Sequence, residues 1–240
     1  MHFFVMALFL HLSVFMPLVY AEELPVVGRV VSDKVAVLSA PRSGLVVGLP
    51  FSETDRVTEG DLFLNIDCSV DKARRDAAAA SANTLKLKYE SQRKLKEYAS
   101  TTGLEVAIAK SEWDRGVAEV AVHNRNLETC SVNVPFDAVV TDMLINEYEY
   151  VEEGKPIARI LDDQALYIEF LAPVSWGERV KIDGKVTLRL AQNSRKVFGQ
   201  IDRVAATVDS ISQTVKVRAK IGTVPAWLSE GAVGYMVLEN

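Results

Sequence analysis

Two stretches decide the fold. Ala40-Pro41-Arg42-Ser43-Gly44-Leu45-Val46 is followed by Val57-Thr58-Glu59-Gly60-Asp61-Leu62, and Val134-Pro135-Phe136-Asp137-Ala138-Val139-Val140 is followed by Val151-Glu152-Glu153-Gly154-Lys155-Pro156. A shift of 94 positions, from Pro41 to Pro135, also aligns Val46 with Val140, Glu53 with Glu147, Val57 with Val151, Glu59 with Glu153, Gly60 with Gly154 and Ile66 with Ile160. These seven identities span 26 columns, where composition alone gives about one or two. Each copy reads as two short strands around a turn in which Gly60 or Gly154 supplies positive φ without steric cost. Two such half-sheets can bury each other's apolar faces. Two unrelated hairpins with similar turns are the other reading, and the shared internal spacing weighs against it.

Between the copies, from about Ser69 to Thr129, there is no proline, and Ala77 to Ala80 are followed by Leu, Lys, Glu and Gln, which favour helix. Ser100-Thr101-Thr102-Gly103 resembles a turn, so helices are expected over Val70 to Tyr98 and Leu104 to Glu128. They form an antiparallel hairpin about 40 Å long at 1.5 Å per residue. Val106, Trp113, Val120 and Leu127 recur every seven residues, with Val117 between, the spacing of a coiled-coil seam. The first helix offers a looser stripe of Leu85, Leu87, Tyr89, Leu95 and Tyr98. Packing within the seam accounts for these aromatics better than ligand stacking. Lys86, Lys88, Arg93, Lys94 and Lys96 make one arm basic, and Glu105, Glu112, Asp114 and Glu119 make the other acidic. Pairing between the arms is expected. Cys68 and Cys130, the only cysteines, flank the insert. An antiparallel hairpin brings them face to face, and in an exported chain that suggests a disulfide at the hairpin base. Two free thiols buried at a strand edge are the alternative.

After Asp162-Asp163 the pattern is one of short strands: Ala165 to Leu171, Lys185 to Leu190, Val197 to Val204, Gln213 to Ile221 and Gly234 to Leu238. Val215, Val217, Ala219 and Ile221 alternate with Lys216, Arg218 and Lys220, the period of a strand with one wet face. Five or six such strands fit a small closed barrel. At the other end, Phe3 to Val19 are almost wholly apolar, and Val19 and Ala21 bracket Tyr20 before Glu22-Glu23. That is a signal peptide over residues 1–21, cleaved after Ala21. Its n-region has no Lys or Arg, so an uncleaved inner-membrane anchor of roughly 17 residues is the other reading. A net charge of −5 argues against nucleic acid as a partner. His2 and His11 lie in the leader, leaving His123 as the single imidazole of the remaining chain. No catalytic, cofactor or metal site is read.

The order of the pieces resembles the periplasmic adaptors, or membrane fusion proteins, of efflux pumps and secretion systems, both HlyD-like and RND-type. The resemblance rests on the two repeat motifs and on three barrel segments: Phe198-Gly199-Gln200-Ile201-Asp202-Arg203-Val204, Gln213-Thr214-Val215-Lys216-Val217-Arg218 and Leu228-Ser229-Glu230-Gly231. It implies a mainly β chain with an α-helical hairpin. An N-terminal strand and the first half of a lipoyl-like (barrel-sandwich hybrid) domain fall in 22–67, the hairpin in 68–130, the second half in 131–161 and a β-barrel in 162–240.

By the same resemblance the chain is a non-enzymatic periplasmic adaptor subunit without cofactors. Its partners are an inner-membrane transporter of RND or ABC type and, in some systems, an outer-membrane channel, with self-association in a ring when assembled. Partner contact is expected at the hairpin tip, around Tyr98, Ser100, Thr101, Thr102, Gly103 and Leu104. The Arg, Leu and Ser that engage the channel in many such adaptors have no counterpart at that spacing, although Arg93, Leu95 and Ser100 lie nearby. Copper adaptors use methionines, and outside the leader this chain has Met143 and Met236. The chain stops at Asn240, after the last expected barrel strand, where such adaptors continue into a membrane-proximal domain. A truncated envelope scaffold without a transport role is the alternative. A biotinyl or lipoyl carrier needs a modifiable Lys in the tight turn joining the half-units, and here a helical insert replaces that turn.

Overall fold

The computed structural model describes residues 25–238, so the expected leader lies outside the described residues. In chain order the elements are β1 (Val27–Ser32), β2 (Val35–Ser39), β3 (Gly44–Gly48), β4 (Arg56–Val57), β5 (Leu62–Ile66), α1 (Ser69–Glu97), α2 (Gly103–Glu128), β6 (Ser131–Asn133), β7 (Ala138–Met143), β8 (Tyr150–Val151) and β9 (Pro156–Leu161). They continue with β10 (Leu166–Pro173), a 3₁₀ turn (Val174–Arg179), β11 (Lys185–Leu190), β12 (Lys196–Asp209), β13 (Thr214–Ile221) and β14 (Val233–Leu238). The chain is mainly β, with one helical hairpin.

The repeat builds a sandwich of two four-stranded sheets, β2-β9-β7-β4 and β6-β5-β3-β8. The halves interlock, and the 94-residue offset carries each cross-half pairing into its counterpart. Arg56 pairs with Val139 and Val57 with Ala138; likewise Tyr150 pairs with Leu45 and Val151 with Gly44. Even the bulges correspond, between Val140 and Asp142 in one copy and between Val46 and Gly48 in the other. The Gly60 N–H donates to the Val134 carbonyl and the Gly154 N–H to the Ala40 carbonyl, both at 2.8 Å. At both turns φ is positive, 90° and 80°. The paired positions Val46 and Val140, Val57 and Val151, Phe63 and Ile157, and Ile66 and Ile160 are all buried in one core. The repeat is therefore a pseudo-twofold unit in which neither half completes its sheets alone.

The barrel closes in the order β1-β10-β13-β12-β11-β14. Its sixth strand is β1, which pairs with β10 and β14. In β1, Gly28, Val30 and Ser32 are buried while Val27 and Arg29 are exposed, so its inward face joins Leu166, Ile168, Phe170, Leu188 and Ile201 in the barrel core. Closure removes the sheet edges. β12 runs five residues beyond the expected Val204, to Asp209. Register shifts between Ile201 and Arg203 and between Val204 and Val208 break its alternation, which is why periodicity ended the strand early.

Candidate functional site

The hairpin seam is a regular three-four column. On α1 the residues turned inward are Asp71, Arg75, Ala78, Ala82, Leu85, Tyr89 and Gln92; on α2 they are Val106, Ala109, Trp113, Gly116, Val120, His123 and Leu127. Small residues meet at the middle, where a Cβ on Gly116 would lie 3.1 Å from the Ala82 Cα and 3.1 Å from the Leu85 Cδ1. Nearer the tip, Tyr89 stacks on Trp113 with ring centroids 5.6 Å apart. Four residues expected in the seam lie off it: Leu87 is 59% exposed, Val117 49%, and Leu95 and Tyr98 also face outward. The column paired with Val106 and Trp113 is Ala109, Gly116 and His123, too small or too polar to register as an apolar stripe. The arms' opposite charges account for little pairing. Among the described residues Lys88 to Glu112, at 2.7 Å, joins the two helices, whereas Lys86–Glu90, Lys110–Asp114 and Arg125–Glu128 lie within one helix.

At the tip, α1 ends in two overlapping backbone hydrogen bonds, from the Ser100 N–H to the Leu95 carbonyl (2.9 Å) and from the Ala99 N–H to the Lys96 carbonyl (3.0 Å). Ala99 takes the left-handed conformation, φ 56°, that this ending requires. Thr102 then caps α2: the Glu105 N–H donates to its hydroxyl (3.2 Å), and the Thr102 N–H donates to the Glu105 carboxylate (2.8 Å). The reciprocal pair is a capping box. The Thr101 hydroxyl oxygen also lies 2.9 Å from the Gln92 side-chain amide. The Glu105 carboxyl is held below its usual range by the Thr101 hydroxyl first, then by the Thr102 N–H and hydroxyl. Of the expected tip residues, Tyr98 and Leu104 are 79% and 70% exposed, while Ser100, Thr101 and Thr102 hold the turn together. Gly103 is the first residue of α2 rather than a turn residue. The turn is a rigid frame carrying two bare apolar side chains.

At the base, Cys68 immediately precedes α1 and Cys130 immediately precedes β6. They are joined as a disulfide with Cα atoms 6.1 Å apart. Arg42, from the first repeat loop, sits against it: one guanidinium nitrogen is 3.3 Å from the Cys68 Sγ and 3.7 Å from the Cys130 Sγ. Another lies 2.8 Å from the Asp71 carboxylate in the first turn of α1. The repeat position equivalent to Arg42 is Phe136, which lies under the Lys34 ammonium at 5.5 Å from the ring centroid. Arg42 and Asp71 were not read from sequence. The difference between Arg42 and Phe136, inside otherwise matching motifs, was the available signal. Among the described residues no cluster of three or more His, Cys, Asp or Glu could hold a metal.

Solved structures with this arrangement include a MacA–MexA chimera containing the Pseudomonas aeruginosa MexA α-hairpin domain. It is 19% identical and matches at a TM-score of 0.78 over 89% of this chain and 79% of its own. The membrane fusion protein Spr0693 from Streptococcus pneumoniae matches at 0.74 with 12% identity, covering 89% of this chain and 97% of its own. MacA from Actinobacillus actinomycetemcomitans matches at 0.64 with 18% identity, over 89% and 76%. The fold is that of the membrane fusion proteins. No family model matches the chain. By sequence it is similar to an uncharacterised protein of Haemophilus influenzae, 24% identical over 193 residues, and to the uncharacterised YdhJ of Escherichia coli, 23% identical over 154. The first match covers 80% of this chain and the second 59%. The chain spans about half the length of these curated relatives, 50% and 54% respectively. Few residues of the hairpin are buried: Ala78 and Ala82 on α1, and Ala109 and Gly116 on α2. Among the described residues no helix is long and apolar enough to cross a membrane.

Proposed function

We propose that this chain is a non-enzymatic periplasmic adaptor subunit that links an inner-membrane transporter, of RND or ABC type, to another envelope component. Some assemblies would include an outer-membrane channel. The leader delivers the chain to the periplasm, and several copies gather in a ring once a transporter holds them close, where high effective concentration makes weak lateral contacts sufficient. The observation that carries this reading is the tip: an ordered turn presenting Tyr98 and Leu104, both mostly exposed, at the far end of helices of 29 and 26 residues. Neither β-unit needs arms of that length to close its own core.

The test places a photo-crosslinking side chain at Ser100 in the full chain and identifies the membrane proteins captured in cells. Capture of a transporter or channel, lost in the Tyr98→Ala, Leu104→Ala double variant, is the expected result. Both side chains are outside the seam, so the variant keeps the fold. Capture unchanged in that variant leaves the arm as a spacer and overturns the tip as the contact site.

A further inference from the structure

The hairpin base carries more than a staple. We propose that Cys68–Cys130 is a thiol–disulfide exchange centre, reducible by a protein dithiol, with Arg42 holding the Cys68 thiolate. The inference rests on the disulfide itself and is independent of the adaptor reading. Two features converge on the Cys68 sulfur. The residue occupies the N-cap of α1 and makes no side-chain hydrogen bond to the helix, so the sulfur stands at the positive end of a 29-residue helix. The Arg42 guanidinium is 3.3 Å away. Both stabilise a thiolate over a thiol, and a disulfide whose reduced form is stabilised is more oxidising than an ordinary structural one.

The surroundings fix the direction of the effect. From α1, Asp71 engages the same guanidinium at 2.8 Å and tempers its charge, while Arg74 lies 3.4 Å from Asp71. Asp67 is occupied by the Ser69 N–H, its Oδ1 accepting at 2.9 Å. From α2, the Asn126 carbonyl is 3.8 Å from the Cys130 sulfur and disfavours negative charge there. The two cysteines are therefore unequal: Cys68 is the better leaving group and Cys130 the sulfur to be attacked.

In the proposed step, a thiolate of the dithiol forms a bond to the Cys130 Sγ. The Cys68–Cys130 bond breaks, and its electron pair leaves on Cys68 beside Arg42. The second thiol of the dithiol gives up its proton and attacks its own partner sulfur, releasing Cys130 as a thiolate that is then protonated. The dithiol ends oxidised to a disulfide, and the pair ends reduced by two electrons: Cys130 is a thiol carrying the one proton that the second thiol gave up, and Cys68 is a thiolate held by Arg42. Both sulfurs are nearly buried, 4% and 7% exposed by residue, and the Arg42 side chain is 28% exposed.

The oxidised full chain is equilibrated with oxidised and reduced dithiothreitol at pH 7, and the reduced fraction is counted by alkylation and mass. Arg42→Met should lower the equilibrium constant for reduction about tenfold, a shift of ~30 mV. Asp71→Asn should raise it about threefold by freeing the guanidinium charge. In Cys130→Ser, the Cys68 thiolate absorbance should titrate below the ordinary thiol value of about 8.5, and adding Arg42→Met should raise it. Because the two charge variants move oppositely, a folding defect in one leaves the other decisive. Equal reduction constants for the parent chain and the folded variants overturn the exchange centre. Failure of Cys68 and Cys130 to pair when the reduced chain is incubated with oxidised dithiothreitol overturns the disulfide on which it rests, a distinct result.

Discussion

Ala99 holds a φ of 56° at the end of α1, a position where glycine escapes the Cβ clash that any other L-residue meets. Ala99→Gly should therefore stabilise the chain by about 1 kcal/mol, read as a higher urea midpoint at unchanged slope. A fall in the midpoint would show that the Cβ makes a compensating contact. The turn was expected at Ser100 to Gly103 because a glycine next to polar residues is the strongest local cue for one. The backbone instead uses Gly103 as a helical residue and strains an alanine, and no residue-level propensity signals that choice. Arg42 poses the same problem in another form. Its partners, Asp71 and the two sulfurs, are 26 or more positions away in the chain, so only the mismatch with Phe136 in an aligned copy hinted at its role.

Among the elements, the hairpin depends on close approach at Gly116. Alanine there gains about 1 kcal/mol of helix propensity but meets the Ala82 Cα at 3.1 Å, backbone that cannot turn aside. Gly116→Leu replaces that tension with outright overpacking and should cost about 3 kcal/mol, measured by thermal unfolding; a neutral result would mean that the arms separate freely. The heptad of Val106, Trp113, Val120 and Leu127 was legible because bulky residues mark one column of a seam. The matching column was not, since Ala109 and Gly116 are small and His123 is polar, and Val117 was placed between the heptad residues instead. The sandwich was more transparent than the hairpin. Gly60 and Gly154 each mark a turn with positive φ, and identical residues at identical spacing pointed to a shared geometry. In the barrel, alternation in β13 located the strand, whereas the bulges in β12 and the distant pairing of β1 with β10 and β14 left no period to follow.

At the scale of the whole molecule, the barrel and sandwich meet through two chain crossings, Asp33-Lys34 and Asp162 to Ala165, tied by backbone hydrogen bonds of 3.0 Å from Asp33 to Ala165 and from Asp162 to Lys34. Charged contacts reinforce the junction. Arg218 pairs with Asp33 at 2.5 Å and lies 3.8 Å over the Tyr167 ring. The Arg218 hydrogen bond holds the Asp33 carboxyl below its ordinary range. A carboxyl depressed in the folded state contributes stability above its unfolded value and loses it as pH falls through the folded one. Arg218→Met should cost about 1–2 kcal/mol at pH 7, and the gap in unfolding midpoint between parent and variant should narrow as pH drops from 7 toward 3. A gap that stays constant would assign the whole effect to the ring contact. Burial alone would raise the Asp163 carboxyl; the Arg56 guanidinium overcomes it and holds that carboxyl low, so the same acid window weakens a second junction contact.

The interlocked sandwich also settles how a pull between its ends is carried. The chain runs into the barrel from the sheet containing β2 and β9, through β1 and β10, and into the hairpin from the sheet containing β5 and β6. Each appendage hangs from a pair of hydrogen-bonded antiparallel strands, so both strands of a pair are drawn the same way and their ladder is not peeled apart. Tension must instead pass from one sheet to the other, through the buried contacts between them and the six chain segments that cross over: β2 to β3, β3 to β4, β4 to β5, β6 to β7, β7 to β8 and β8 to β9. The sandwich thus works as a mechanical coupling, with load shared over many covalent strands, and a force on the hairpin tip reaches the barrel without first unzipping any single sheet.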